Sequence, residues 1–164
     1  MTTGTKTVKP GVKHELVITR IFNAPRELVF ETWIDKKHLK RWWGPRDFTN
    51  PFCETDPRPG GKIRIDMQGP GFPVHPMGGV YKEIKRPERL VFTTTAFFNS
   101  SGVPSIENLN TVTFEKYRGN KTKLTLHVTV LKSSPEVQEA LEGMETGWTQ
   151  SLEKLDSLLK TIQA

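Results

Sequence analysis

The sequence predicts an α+β fold in which a curved antiparallel sheet wraps around one long C-terminal helix. Two observations lead to this prediction: seven short β-rich segments, and a single apolar stripe at helical spacing near the C-terminus. Strands that follow one another through short turns pair antiparallel, and a long amphipathic helix needs an apolar face of similar length. A curved sheet supplies that face and leaves a space between sheet and helix.

The first strand and two short helices come first in the chain. Residues 14–22 are rich in β-branched side chains, which predicts a strand. Residues 26–34 follow a proline and predict a helix, since proline suits the first helical turn. Asp35 is a favourable N-cap for a second helix over residues 36–43.

Six more strands and the long helix complete the predicted order β-α-α-β6-α. The strands are predicted over residues 48–54, 62–68, 80–85, 90–98, 109–117 and 122–131. Arg118-Gly119-Asn120-Lys121 marks the turn of a hairpin between the last two strands. Residues 69–79, which are rich in glycine and proline, and residues 99–107 are predicted as loops.

The C-terminal helix is the clearest element of the sequence. Apolar residues spaced by three or four predict a helix over residues 135–162, about 40 Å long. The stripe consists of Val137, Leu141, Met144, Trp148, Leu152, Leu155, Leu159 and Ile162. Gly143, Gly147 and Ser151 form a row of small residues in the same helix, and each interior glycine costs about 1 kcal/mol relative to alanine. The row therefore either lets the sheet backbone approach closely or leaves room for a ligand.

Composition limits the classes of function. The 164 residues predict one domain over 13–164 after a flexible polar tail over 1–12, and the single cysteine excludes an internal disulfide framework. No apolar run approaches a membrane span and no secretory signal is evident, so a cytoplasmic protein is expected. The net charge of +6 permits nucleic-acid binding. We interpret the basic groups as solvated faces and do not expect nucleic acid as a partner. They are Lys36, Lys37, Lys40 and Arg41, and Lys82, Lys85, Arg86 and Arg89.

Several strings in this order resemble the START-like (SRPBCC, helix-grip) superfamily, and within it the domain family named for activators of the ATPase of heat-shock protein 90. The matching strings are TRIFNAPRELVFETWID (19–35), LKRWWGP (39–45), PGGKIRIDM (59–67), GGVYKEIKRPERLVFT (78–93), NTVTFE (110–115), TKLTLHV (122–128) and the Gly147-Trp148-x-x-x-Leu152-x-x-Leu155 run. The resemblance implies a helix-grip fold, with a seven-stranded sheet that grips the C-terminal helix around an internal cavity.

The same resemblance implies what the protein binds. Members of the superfamily are implied to bind hydrophobic small molecules such as lipids, and the eukaryotic namesakes bind the chaperone in the stress response. Those namesakes carry an additional N-terminal chaperone-binding domain, for which we expect no room in this chain.

Eight residues are candidates for lining the cavity, although ordinary core packing also explains each of them. They are Trp42, Trp43, Met67, Tyr81, Thr94, Met144, Gly147 and Trp148. Adjacent residues on a helix face different ways, so at most one of Trp42 and Trp43 points inward.

No catalytic residue, cofactor or metal site is expected. The four histidines are far apart in the sequence, and no nucleotide or nucleophile motif is present. Cys53 is expected to be a structural thiol. Asp66 and Glu83 fit either an acid–base pair or ordinary cross-strand ion pairs.

The preferred hypothesis is a module that binds a hydrophobic small molecule without a cofactor and without catalysis. One alternative is an enzyme of the polyketide cyclase or aromatase kind that uses the same cavity. A second alternative is a protein-interaction module that contacts the chaperone through its basic face.

Overall fold

The computed structural model describes the backbone of Thr3–Thr7 and the whole of residues 15–164. The strands are β1 (Thr3–Thr7), β2 (Glu15–Phe22), β3 (Thr49–Thr55), β4 (Lys62–Gln68), β5 (His75–Lys85), β6 (Arg89–Phe98), β7 (Pro104–Tyr117) and β8 (Lys121–Ser133). The helices are α1 (Arg26–Ile34), α2 (Lys36–Trp42), α3 (Gln138–Glu142) and α4 (Met144–Gln163), with a 3₁₀ turn over Pro135–Val137. No described helix is long and apolar enough to cross a membrane.

All seven predicted strands form, and they pair antiparallel in one sheet, which confirms the α+β class and the helix-grip fold. The strand order is β1-β2-β8-β7-β6-β5-β4-β3. Strand β1 is an eighth strand that was not predicted; it pairs with β2 from Thr3 opposite Arg20 to Thr7 opposite Leu16. Strand β2 would otherwise present an edge of unpaired backbone groups, which favours the addition of a strand. The other residues of the predicted flexible tail lie outside the described residues.

Two predicted loops were wrong over part of their length. Strand β5 begins at His75 instead of residue 80, and strand β7 begins at Pro104 instead of residue 109. Gly78 and Gly79 disfavour a strand by propensity, yet they pair with Thr95 and Thr94 of β6. A Cβ atom at Gly79 would collide with the backbone carbonyl of β6, so glycine is required here by the close approach of two strands.

The C-terminal helix is shorter than predicted. A single helix over residues 135–162 was wrong, because the segment is divided at Gly143 into α3 and α4. Glycine has low helix propensity, and the separation leaves α4 with 20 residues, about 30 Å long. The apolar stripe itself is confirmed: Leu152, Leu155 and Leu159 are buried against the sheet.

The concave face of the sheet and α4 enclose the core. Register shifts interrupt the pairing of β3 with β4, β5 with β6 and β7 with β8, and such bulges increase the local bend of a sheet. Alternate residues of the central strands point inward, so that Leu124, Leu126 and Val128 of β8 are fully buried. The bend brings these side chains around the helix.

Aromatic side chains fill the half of this space that lies beneath α1 and α2. The Trp33 ring centroid lies 4.6 Å from that of Trp42, 5.9 Å from Trp148 and 6.3 Å from Phe114. Rings at such distances contribute to stability beyond the area they bury. The opposite half of the space, beside α3 and the first turns of α4, contains no comparable cluster among the described residues and remains open.

Candidate functional site

A pocket of about 250 Å³ occupies the open half, between strands β4–β7 and helices α3 and α4. Its described lining consists of Trp43, Gly44, Pro45, Met67, Met77, Thr94, Thr95, Ala96, Phe97, Ile106, Asn108, Ala140, Gly143, Met144, Gly147, Trp148 and Ser151. None of these side chains carries a charge. Most of the lining is apolar, and its polar side-chain groups are three hydroxyls, one amide and the N–H groups of two indole rings. The pocket thus presents an uncharged surface between the sheet and the helix.

Two tryptophans form one wall of the pocket. Trp43 is the C-cap residue of α2, and its ring lies edge-on to that of Trp148 of α4, with centroids 5.2 Å apart. Both rings are large and rigid, and they present π-faces and edges to the pocket. Met67 and Met144 also line it, and methionine side chains adapt to irregular shapes and make favourable contacts with aromatic rings.

One residue of the pocket lining carries a buried amide oxygen without a partner. Asn108 Oδ1 is buried and has no hydrogen bond, and its Nδ2 lies 4.0 Å from the Met144 sulfur. Two residues further along β7, the Nδ2 of Asn110 donates to Phe92 O at 3.2 Å and to Thr94 Oγ1 at 3.1 Å, whereas its Oδ1 is also buried without a partner; Asn110 does not line the pocket. A buried polar atom without a partner costs about 1–3 kcal/mol. Asn108 is therefore the residue of the described lining that carries an unpaired buried acceptor.

The glycine in the middle of this wall has open space in front of it. A Cβ atom at Gly147 would meet only Pro45 Cγ, at 3.6 Å, which is an ordinary contact. No sheet backbone atom lies within 4 Å of that position. Close approach of the sheet therefore does not explain Gly147, whereas room in the pocket does.

The loop that carries Trp43 is held to α4 by a lysine. The Lys154 Nζ lies 3.1–3.4 Å from four carbonyl oxygens, those of Trp43, Gly44, Pro45 and Phe48. Burial lowers the pKa of this ammonium group. Hydrogen bonds from a charged donor are stronger than neutral ones, so Lys154 fixes the loop that forms one side of the pocket.

Replacement of Lys154 by methionine is expected to destabilise this loop. Lys154→Met keeps the aliphatic chain but removes the charged donor from all four carbonyls, of which only those of Trp43 and Pro45 keep another donor among the described residues, Asn50 Nδ2 and Phe48 N. It should lower the free energy of unfolding by about 2–3 kcal/mol. Urea denaturation measures this change. Lys36→Met is the matched control, because Lys36 is exposed and its ion pair with Glu54 lies on the surface, where the effect should be below about 1 kcal/mol. Equal effects of the two variants would contradict the role given to Lys154.

The structure brings most of the candidate residues together. Trp43, Met67, Thr94, Met144, Gly147 and Trp148 line the pocket. Trp42 does not; its ring packs in the core and its Nε1 donates to Thr32 O at 2.8 Å. The expectation that at most one of Trp42 and Trp43 points inward was wrong: both are buried, because Trp43 follows the last helical residue and has an extended backbone. Tyr81 does not either, because it borders a separate gap of about 10 Å³ near Trp33. Alternation along β5 predicts that Tyr81 points inward but not how deep it lies along the strand.

Sequence reasoning missed several lining residues. Met77 and Ile106 lie in segments predicted as loops, and Asn108 lies just before the predicted start of its strand. Met77 precedes Tyr81 by four residues in β5, so both side chains lie on the same face of the strand, and both are buried. An alternating pattern extended back from Tyr81 would have found Met77, but Gly78 and Gly79 interrupt it.

The other candidate chemistry is absent from the pocket. Cys53 is buried, and burial raises the pKa of its thiol to about 11, so the reactive thiolate is scarce at neutral pH. Asp66 and Glu83 do not face each other; they bond to Arg64 and Arg89. In the part of the chain that the structure describes, no group of three histidine, cysteine, aspartate or glutamate side chains is placed to hold a metal ion.

Comparison with known proteins identifies the family. The sequence profile described as "Activator of Hsp90 ATPase homolog 1-like protein" matches residues 23–160, and a search of curated proteins gives no match. A solution NMR structure of a protein from Arthrobacter aurescens is 26% identical with a TM-score of 0.81, covering 95% of this chain and 91% of that chain.

Two further solved structures share the fold. The AHSA1 protein from Silicibacter pomeroyi is 24% identical, with a TM-score of 0.75 over 90% of this chain and 98% of that chain. A crystal structure of a protein from Rhodobacter sphaeroides is 22% identical, with a TM-score of 0.77 over 96% of this chain and 99% of that chain. With the profile match over most of the chain, the protein belongs to the family of activator of Hsp90 ATPase homolog 1-like proteins.

Proposed function

We propose that this protein binds a small, uncharged, mainly aromatic molecule in the pocket between the sheet and α4. The observation that carries the proposal is an uncharged lining with two tryptophan rings and one unsatisfied buried acceptor, Asn108 Oδ1. A charged ligand would lose its hydration in this pocket without gaining a counter-charge, which is unfavourable.

The volume of the pocket limits the size of the ligand. An apolar cavity of about 150 Å³ binds benzene, and a pocket of about 250 Å³ is large enough for two fused rings. The Asn108 oxygen accepts hydrogen bonds, so a hydroxyl or N–H group on the ring would be preferred. The proposed ligand class is therefore a mono- or bicyclic aromatic alcohol or amide.

The alternatives draw less support from the site. A cyclase or aromatase needs a positioned acid and base, and none of the described lining residues titrates near neutral pH. Contact with a chaperone is suggested by the family description alone, and it stays a prediction, as does the cytoplasmic location. The described basic side chains that were candidates for such a contact are partly paired: Lys36 with Glu54, Arg86 with Glu31 and Arg89 with Glu83.

Titration with naphthalene and 2-naphthol tests the proposal. Both should quench the fluorescence of the wall tryptophans, and 2-naphthol should bind more tightly than naphthalene because its hydroxyl donates to Asn108. In Asn108→Leu, the affinity for 2-naphthol should fall about tenfold, since a lost hydrogen bond costs about 1–1.5 kcal/mol. The affinity for naphthalene should change little.

Asn120→Leu is the matched control, because Asn120 lies in the exposed turn between β7 and β8. It should bind both probes as the unaltered protein does. Failure of the unaltered protein to bind either probe would contradict the proposed function, and an equal loss of both probes in Asn108→Leu would contradict the role of the amide oxygen.

A further inference from the structure

The exposed apolar side chains of this protein are concentrated at one end of the sheet. Seven large apolar residues are exposed among those described, and five of them lie in two neighbouring segments, each made of a loop and the strand ends beside it. These five are Phe72, Val74, Phe97, Phe98 and Val103, with exposed fractions of 40–61%. The first segment, residues 69–76, is the loop after β4 with the start of β5, and the second, residues 97–104, is the end of β6 with the loop to β7 and its first residue. We refer to these two segments together as the apolar tip.

The two loops lie side by side because of the sheet register. Met77, just after the first loop, pairs with Ala96, just before the second, and the rings of His75 and Phe97 are 5.9 Å apart. Apart from His75, neither segment contains a charged or titratable side chain, although 26% of the chain is charged. Clustered exposed apolar residues mark surfaces that contact a protein or a membrane.

Several polar backbone groups of the second loop are paired within the loop. Asn99 Oδ1 accepts from Ser101 N at 2.8 Å and from Val103 N at 3.0 Å. The backbone of Asn99 also donates to Val103 O at 2.9 Å and accepts from Gly102 N at 2.9 Å. A loop whose backbone groups are paired in this way loses little when it leaves water.

The first loop lowers the free-energy cost of removing backbone polar groups from water in another way. Three of its eight residues are Pro70, Pro73 and Pro76, which have no N–H group to leave unpaired. The Phe72 amide donates to Gly69 O at 3.2 Å, and Phe72 O accepts from Gln68 Nε2 at 3.3 Å. Both segments therefore combine exposed apolar side chains with a backbone that is paired or lacks N–H groups at several positions, which lowers the cost of leaving water at a lipid interface.

We propose that the apolar tip docks on an uncharged lipid surface, such as the interface of a zwitterionic bilayer. The pocket opens beside the tip, because Phe97 lines it and is also exposed. Phe97 has a backbone φ of +55°, a conformation that bulky residues rarely adopt outside functional sites. Docking would also bring an apolar ligand close to the pocket. This second step rests on the proposed function, whereas the docking itself is independent of it.

Vesicle binding without any added ligand tests the docking. The protein should bind phosphatidylcholine vesicles, and binding should be nearly the same at about 0.1 M and about 1 M salt, since no charged side chain contributes. The double variant Phe72→Ser, Phe98→Ser should bind at least about tenfold more weakly, because exposed phenylalanine gains more than 1 kcal/mol on transfer from water. Both phenylalanines are at the surface, and a thermal melt verifies that the variant is folded.

Phe52→Ser is the matched control, because Phe52 is 42% exposed but lies on β3, outside the apolar tip. It should bind vesicles as the unaltered protein does. A second readout is an environment-sensitive dye on Ser101→Cys, which is labelled selectively because Cys53 is buried and its thiol pKa is raised. The dye should brighten with vesicles, whereas the same dye on Ser157→Cys, on the exposed face of α4, should not.

Several results would overturn the proposal. The first is that the protein does not bind phosphatidylcholine vesicles. The second is that it binds only anionic vesicles and that high salt abolishes this binding. The third is that Phe52→Ser weakens vesicle binding as much as the double variant does. If the unaltered protein sediments as a dimer and the double variant as a monomer, the apolar tip contacts a second copy of this chain and not a lipid surface. Vesicle binding by a protein that binds no naphthalene probe would support the docking and contradict the proposed function.

Discussion

Gly147→Leu is expected to abolish binding of naphthalene and 2-naphthol while the protein stays folded. A Cβ atom at this position meets only Pro45, so the leucine side chain extends into the pocket and occupies the space of the ligand. The substitution also raises helix propensity by about 0.8 kcal/mol, which corresponds to a rise of about 2–3 °C in melting temperature. Probe titration and a thermal melt on the same sample measure both effects.

The control for this variant is Ser157→Leu, which also introduces leucine into α4 but on its exposed face. It should keep full affinity for both probes. If Gly147→Leu instead melts several degrees lower and still binds the probes, the leucine overpacks the helix contact, which typically costs about 1–3 kcal/mol. That result would contradict the assignment of Gly147 to the pocket.

Trp33→Ala is expected to cost about 3–5 kcal/mol of unfolding free energy, the range for a large aromatic residue removed from a core. Trp33 is 2% exposed and contacts the rings of Trp42, Phe92, Phe114 and Trp148. The loss corresponds to a melting temperature lower by roughly 6–20 °C. Differential scanning calorimetry measures it.

Indole should partly restore the stability of this variant, because it has the shape of the removed side chain. At a concentration about tenfold above its dissociation constant, indole adds about 1.4 kcal/mol, and this gain should exceed its effect on the unaltered protein. Phe22→Ala, which opens a void elsewhere in the core, is the control and should gain no more than the unaltered protein. Equal gains in all three proteins would mean that indole binds outside the new void.

These two variants examine the two halves of one space between sheet and helix. Aromatic rings around Trp33 fill the half under α1 and α2, whereas Gly147 and its neighbours leave the other half open. Trp148 belongs to both, because its ring stacks on Trp33 and also lines the pocket. The size of the ligand therefore depends on how far the aromatic cluster extends along the helix.

Local patterns predicted the elements of this fold well where the physical signal is local. The apolar stripe of the C-terminal segment predicted the buried face of α4, because helical spacing alone decides which side chains share a face. Asp35 was predicted as an N-cap, and its side chain accepts from Lys37 N at 2.9 Å, because capping involves only neighbouring residues. The turn at Gly119 and the antiparallel order followed from short connections in the same way.

The sequence by itself determined the class of the fold, the inward face of the strands that alternate clearly, such as β8, and the chemical character of the cavity candidates. Only the tertiary structure decided how deep these residues lie between sheet and helix. Tyr81 points inward, as its pattern predicts, but it is enclosed in the core. Met77 lines the pocket, although Gly78 and Gly79 led to the prediction of a loop where the structure has a strand. Depth depends on register and bulges between strands distant in sequence, and no local pattern contains that information. For the same reason, the position of Lys154 beneath four carbonyl oxygens of the Trp43 loop emerged only once α4 and that loop were packed together.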